Sequence, residues 1–141
     1  MPYGTNLQNA ARRHLRGASI LHEALSAGAQ PGGRALAGYL YGLAAELALK
    51  EIMRQSGIQQ LPPTDRANDP YWKHFPELKT MLSLQLRGRR DGELRKYASN
   101  NSLFANWDIK MRYAHTNDVQ PSWIAAWKKD AEDLVSKMDM P

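Results

Sequence analysis

GYLYGLAAELALKEIM, residues 38–53, is the stretch that decides the fold. At about 100° per residue its apolar side chains form two stripes on a helix predicted over residues 33–56. The first stripe consists of Leu36, Leu40, Leu43 and Leu47. The second, on roughly the opposite side, consists of Gly38, Gly42, Ala45 and Leu49. Because a surface helix needs only one apolar face, we expect both sides of this helix to be covered.

The glycines in this helix also predict how it packs. Each interior glycine destabilises a helix by about 1 kcal/mol relative to alanine. Close approach of another helix backbone, from the same chain or from a second subunit, would offset that loss. The pattern therefore predicts a homodimer that uses helix two. Gly57 is expected to end the helix as a left-handed cap.

Helical spacing continues on both sides of this segment. Thr5 and Gln8 form a capping-box pattern, which predicts a first helix that runs to about residue 27. The glycines and proline of residues 27–33 interrupt it. No alternation typical of a β-strand occurs along the chain. We therefore expect an all-α fold, an antiparallel four- to five-helix bundle.

The second half of the chain predicts four further helical segments. Residues 61–72 contain three prolines and are expected to form a loop. Pro76 opens the next helix, a short helix follows from Glu93, and another is predicted over residues 103–115. Pro121 opens the last one. These segments fit a single domain, residues 1–141.

Composition excludes several classes of protein. The chain has 141 residues and no cysteine, which rules out disulfides, thiolate zinc sites and thiol catalysis. No histidine–carboxylate spacing matches a metal signature, so neither a metal nor another cofactor is predicted. The longest apolar run, residues 35–49, is too short to span a membrane and contains Glu46. The N-terminus lacks the apolar stretch of a signal peptide, so a cytoplasmic location is expected.

The charge balance favours polyanionic partners. Nineteen basic residues against fourteen acidic ones give a net charge of +5. The largest local excess is RGRRDGELRK, residues 87–96, with Arg89 and Arg90 at its centre. This segment is either a solvated turn between helices or a patch that contacts phosphates.

Helix two also carries a family pattern. Ala44, Glu46, Leu49 and Lys50 fit an A-x-E-x-x-L-K-like signature, and here the sequence resembles the HEPN superfamily of small helical domains. KHFPELKTML, residues 73–82, is similar to the family's histidine-containing entry into its third helix. The W-x4-R-Y run of residues 107–113 lies where the family has its functional arginine. The resemblance covers residues 7–138.

The resemblance implies a function as well as a fold. HEPN domains are helical bundles that dimerise and often cleave RNA or bind nucleotides, and they occur in toxin–antitoxin and defence systems. A cognate antitoxin or another partner protein is therefore expected. Catalytic members use an Arg-x4–6-His motif in a cleft between two copies. In this sequence Arg112 is followed by His115 after two residues, which departs from that motif.

Arg112 and His115 have the chemistry that metal-independent RNA cleavage needs. On a helix, a spacing of three places both on one face. A histidine can take the 2′-hydroxyl proton, and an arginine can stabilise the phosphorane. Tyr113 could then stack on a base, and Asn117 could hold the imidazole. In the other interpretation, Arg112 and Tyr113 tie helix ends together and His115 precedes a turn.

Glu46 and Lys50 form an i, i+4 pair on helix two. If Glu46 is buried, it needs a cation or a hydrogen-bond donor, for which Lys50 and Arg112 are the candidates. The pair is either structural or part of a binding site. The sequence thus leaves two functions open: a metal-independent endoribonuclease, or a non-catalytic module that binds a nucleotide, an effector or a protein.

Overall fold

The computed structural model describes residues 6–26 and 33–140, and helices are its only regular elements there. The α-helices are α1 (Leu7–Ser26), α2 (Gly33–Gln55), α3 (Glu77–Gln85), α4 (Gly92–Ser99) and α5 (Pro121–Met138). Short 3₁₀ helices span Pro63–Asn68, Pro70–Trp72, Ile109–Tyr113 and Thr116–Asp118. The predicted all-α class is confirmed. None of the helices in these ranges is long and apolar enough to cross a membrane.

The start of α1 differs from the predicted capping box. The Asn6 side chain accepts a hydrogen bond of 3.0 Å from the Asn9 backbone N–H, which is an N-cap arrangement. Thr5 and the predicted break at residues 27–32 lie outside the described residues.

The glycine stripe of α2 is covered by tryptophans of the same chain. A Cβ atom on Gly42 would overlap the Trp107 indole, and one on Gly38 would lie 2.6 Å from Cζ3 of Trp127. The Trp107 indole N–H also donates a 2.9 Å hydrogen bond to the Gly38 carbonyl. The glycines therefore accommodate indole rings, and the expected close approach of a second helix backbone at this stripe is wrong.

The leucine stripe of α2 is less completely covered. Leu40, Leu43 and Leu47 are half-buried, and Leu36 is 40% exposed. On this side Gly17 of α1 faces Leu40. The expectation that both sides of α2 are covered thus holds fully for the glycine stripe and only in part for the leucine stripe.

The end of α2 is a Schellman motif. Gly57 has a φ of +84°, as predicted for a left-handed cap. The Ile58 N–H donates to the Met53 carbonyl at 3.0 Å, and the Gly57 N–H donates to the Arg54 carbonyl at 3.1 Å. Two carbonyls that the helix would leave unpaired are thereby satisfied.

The helix predicted over residues 103–115 does not form. Phe104 and Asn106 have positive φ angles, which a right-handed helix excludes. Side chains also take up the backbone groups that a helix would use: Asp130 accepts from the Phe104 N–H at 3.2 Å, and the Trp127 indole donates to the Ala105 carbonyl at 2.9 Å. Only the 3₁₀ helix Ile109–Tyr113 remains, with Asp108 as its cap.

The other expected helices agree more closely with the structure. Leu78 and Leu82 of α3 are buried, and so is Leu86, which caps its C-terminus. The short helix expected from Glu93 begins at Gly92, and Pro121 opens α5. Residues 61–72, predicted as a loop, contain two 3₁₀ helices.

Candidate functional site

Glu46 is a buried carboxylate with two specific hydrogen-bond donors. It lies on α2 and is 2% exposed. Its Oε2 atom is 2.8 Å from His74 Nδ1, and its Oε1 atom accepts a 2.8 Å bond from the Phe75 N–H. Burial raises the pKa of Glu46, and the hydrogen bond from His74 opposes that shift. Glu46 is therefore in the buried state for which a donor was expected, but its hydrogen-bond donors are His74 and Phe75 rather than Lys50 or Arg112.

Lys50 lies one turn further along α2 and is also buried. Burial lowers the pKa of Lys50, while the nearby charges of Glu46 and Asp69 act in the opposite direction. Asp69 is fully buried, and its two carboxylate oxygens accept 3.0 Å bonds from the backbone N–H groups of Leu61 and Tyr71. The two carboxylates therefore offset part of the effect of burial on the pKa of Lys50.

His74 is the surface residue of the cluster that it forms with Glu46, Lys50 and Asp69. Its side chain is 47% exposed although its Nδ1 atom meets a buried carboxylate. Sequence analysis noted the histidine only within the KHFP pattern and did not pair it with Glu46. The pairing depends on how residues 73–75 fold back onto α2, and no local spacing encodes that contact.

Arg112 and Tyr113 form an exposed pair. The Arg112 guanidinium lies 4.8 Å from the centroid of the Tyr113 ring, and Tyr113 is 77% exposed. Hydrogen bonding with the hydroxyls of Tyr113 and Tyr39 raises the pKa of Arg112. The Tyr39 ring in turn stacks on Trp107, with centroids 6.4 Å apart and planes at 9°. We call Tyr39, Arg112 and Tyr113 the Arg112 surface.

His115 does not share a helical face with Arg112. The 3₁₀ helix ends at Tyr113, and Ala114 and His115 have extended backbone, with ψ angles of 152° and 145°. Asn117 follows in the next 3₁₀ helix, and both His115 and Asn117 are exposed. The expected arrangement of Arg112 and His115 on one helical face is therefore wrong, because the backbone between them is not helical.

The arginines of residues 87–96 lie near the other end of α2. Arg89 donates a 2.8 Å bond to the Ser56 carbonyl, just beyond the C-terminus of α2, while Arg90 is exposed. Tyr39 and Ser56 are 17 residues apart, so roughly 25 Å of helix separates this segment from the Arg112 surface. This segment connects α3 to α4, which is the turn of the first interpretation, and Arg89 helps to hold it in place.

Glu46 and the Arg112 surface share one side of α2. Tyr39 and Glu46 are seven residues apart, which returns to the same face within about 20° and advances about 10.5 Å. A row of aromatic rings connects them, because Trp107 contacts both Tyr39 and Phe75, with centroids 6.4 and 6.3 Å apart.

Within residues 6–26 and 33–140, no group of three or more His, Asp or Glu side chains is arranged to hold a metal ion. Protein-family models, curated proteins and solved structures contain no match to this chain.

Proposed function

We propose that this chain is a HEPN-like helical module that binds RNA or nucleotides at the Arg112 surface. The observation that carries the proposal is the exposed pair in which the Arg112 guanidinium lies 4.8 Å from the Tyr113 ring. An arginine can bind a phosphate with two parallel hydrogen bonds, and an exposed aromatic ring can stack on a base. Those are the two contacts that a single-stranded nucleic acid offers.

The charge of Arg112 is available for such a ligand. Among the described residues no carboxylate lies within 4.0 Å of its guanidinium, and its aromatic neighbour is the Tyr113 ring. The net charge of +5 adds a general attraction for polyanions.

Binding is favoured over cleavage by Arg112 and His115. The extended backbone at Ala114 and His115 does not provide the shared helical face on which that catalytic pair was expected. We therefore assign Arg112 and Tyr113 to ligand binding. His115 and Asn117 follow Tyr113 along the chain and are exposed as well.

We also propose a homodimer, through the leucine stripe of α2. Two tryptophans of the same chain fill the glycine stripe, which leaves the half-exposed stripe that ends at Leu36 as the contact surface. The family resemblance supports dimerisation, a toxin–antitoxin or defence setting, and a cognate protein partner.

Fluorescence anisotropy with a labelled single-stranded RNA tests the binding proposal. Stacking on an aromatic ring contributes about 1–3 kcal/mol per base, so Tyr113→Ala should weaken binding about 5- to 150-fold. Arg112→Ala should also weaken it. Arg16→Ala, which removes the same charge from the exposed surface of α1, is the matched control and should bind like the wild type. Weaker binding in Arg90→Ala together with normal binding in Arg112→Ala would assign the ligand to residues 87–96 and overturn the proposal.

A further inference from the structure

The pairing of His74 with Glu46 has a geometry suited to proton transfer. With Glu46 ionised, His74 Nδ1 carries the ring proton and donates it across 2.8 Å. The imidazole is then held in one tautomer, and the lone pair is on Nε2. The side chain is 47% exposed, so the imidazole can be reached from solvent. A carboxylate that orients a histidine in this way is the usual support for a general base.

Neighbouring groups offset part of the rise in the pKa of Glu46 that burial causes. The Phe75 N–H donates to Oε1, and the Lys50 charge lies nearby, so both oppose the effect of burial on the pKa. Neither contact involves the outer edge of the imidazole. Glu46 is therefore occupied entirely by contacts within the chain, and His74 is the group of this cluster that a ligand can meet.

His74 also lies within reach of a strand bound at the Arg112 surface. Tyr39 and Glu46, the α2 residues beneath the two sites, are about 10.5 Å apart along one face. That length corresponds to roughly three nucleotides at the 3.4 Å rise of a stacked strand.

Trp72 offers a second stacking position beside His74. The indole is 51% exposed, and the Arg66 guanidinium lies 4.1 Å from the ring centroid. Lys73, the residue between Trp72 and His74, has extended backbone, with φ −109° and ψ 155°. Side chains two residues apart in an extended segment point to the same side. An arginine, an aromatic ring and an oriented histidine thus occur together at this second position.

From these contacts we infer that His74, positioned by Glu46, is the general base for cleavage of an RNA strand bound at the Arg112 surface. The inference rests on the proposed function. His74 Nε2 takes the proton of a ribose 2′-hydroxyl, the 2′-oxygen attacks the adjacent phosphorus, and the bond from phosphorus to the 5′-oxygen breaks. The 5′-oxygen takes a proton from water, and the hydroxide formed receives the proton held by His74. The products are a 2′,3′-cyclic phosphate and a 5′-hydroxyl end.

The test is an RNA cleavage assay in EDTA with the full chain, alongside the anisotropy assay. A general base contributes about 10²- to 10⁴-fold, so His74→Ala should lower the cleavage rate by that factor and leave RNA affinity within about twofold. Glu46→Gln should also lower the rate, because the amide presents an N–H to Nδ1 and reverses the tautomer. His14→Ala, which removes a histidine from α1, is the matched control. A DNA strand of the same sequence should bind but stay intact, because it lacks the 2′-hydroxyl.

Chemical rescue separates catalysis from a structural effect. Imidazole added to the buffer should restore cleavage by His74→Gly, and it should not restore cleavage by Glu46→Gln. RNA binding that depends on Arg112, with no cleavage or with equal cleavage by wild type and His74→Ala, would overturn this inference and leave the proposed function standing. Loss of cleavage in His115→Ala with normal rates in His74→Ala would also overturn it. Absence of RNA binding by the wild type would overturn both proposals.

Discussion

The Trp107 indole occupies the space that a side chain at Gly42 would need, and its N–H donates to the carbonyl of Gly38 one turn earlier. One aromatic side chain thus fixes residues 103–113 against α2. Because Arg112 and Tyr113 belong to that segment, the position of the Arg112 surface depends on a contact in the core.

Gly42→Ala should lower the free energy of unfolding. Overpacking a well-filled core destabilises the protein by about 1–3 kcal/mol. Alanine gains about 1 kcal/mol over glycine in helix propensity, so a cost in the upper part of that range gives a net loss of stability. Gly17→Ala on α1 is the matched control, because its Cβ would lie 3.8 Å from Leu40 Cδ1, an ordinary contact. It should stabilise by about 0.5–1 kcal/mol. Urea unfolding measures both, and a stabilised Gly42→Ala variant would contradict the packing described for Trp107.

The raised pKa of Glu46 predicts how stability depends on pH. A group with a raised pKa in the folded state contributes stability below its unfolded pKa and loses it as pH rises through the folded value. Relative to Glu46→Gln, the free energy of unfolding of the wild type should therefore fall as pH increases above about 4, near the ordinary glutamate value. Urea unfolding of both proteins at a series of pH values checks this. A difference that grows in favour of the wild type with rising pH would contradict the burial of Glu46.

Salt dependence should distinguish a phosphate contact at Arg112 from a general charge effect. For single strands, the logarithm of the binding constant falls with the logarithm of salt concentration by about 0.7 per phosphate neutralised. Arg112→Ala should reduce the magnitude of that slope by about 0.7. Arg16→Ala should leave it unchanged, and an equal reduction in both variants would mean that Arg112 makes no specific phosphate contact.

Leu36→Glu should dissociate the proposed homodimer. A charge placed within an apolar contact loses its hydration without gaining a partner, which is strongly unfavourable. Leu84 on α3 has similar exposure, 44% against 40%, so Leu84→Glu is the matched control and should remain dimeric. Sedimentation velocity reports the outcome. A wild type that sediments as a monomer at all concentrations would remove the dimer from the proposal.

Helical periodicity was sufficient to predict most of the fold. The bounds of α2, the cap at Gly57 and the start of α5 at Pro121 follow from local rules on glycine, proline and apolar spacing. The failure at residues 103–115 has a physical reason. Leu103, Met111 and their neighbours have helical spacing, but side chains from α3 and α5 bind the backbone of this segment: Lys79 donates to the Leu103 carbonyl at 2.7 Å, and Asp130 accepts from the Phe104 N–H. Tertiary contacts there outweigh local propensity.

The candidate site was predicted less well than the fold. The burial of Glu46 follows from the apolar helix around it, but its contact with His74 joins residues 28 positions apart. Arg112 and Tyr113 were selected because of the family pattern, and the interaction of Arg112 with Tyr39 requires the fold of residues 103–113. Contacts between distant segments carry no periodic signal in one sequence.

Because α2 contacts Trp107 through Gly42 and residues 74–75 through Glu46, it sets the distance between two surface segments that do not belong to the same element. Inserting one residue between Gly42 and Glu46 would rotate the carboxylate by about 100° and shift it by about 1.5 Å, so His74 would lose its partner. Homologous chains should therefore keep a constant number of residues between these two positions, while the lengths of the loops that deliver Trp107 and His74 are free to vary.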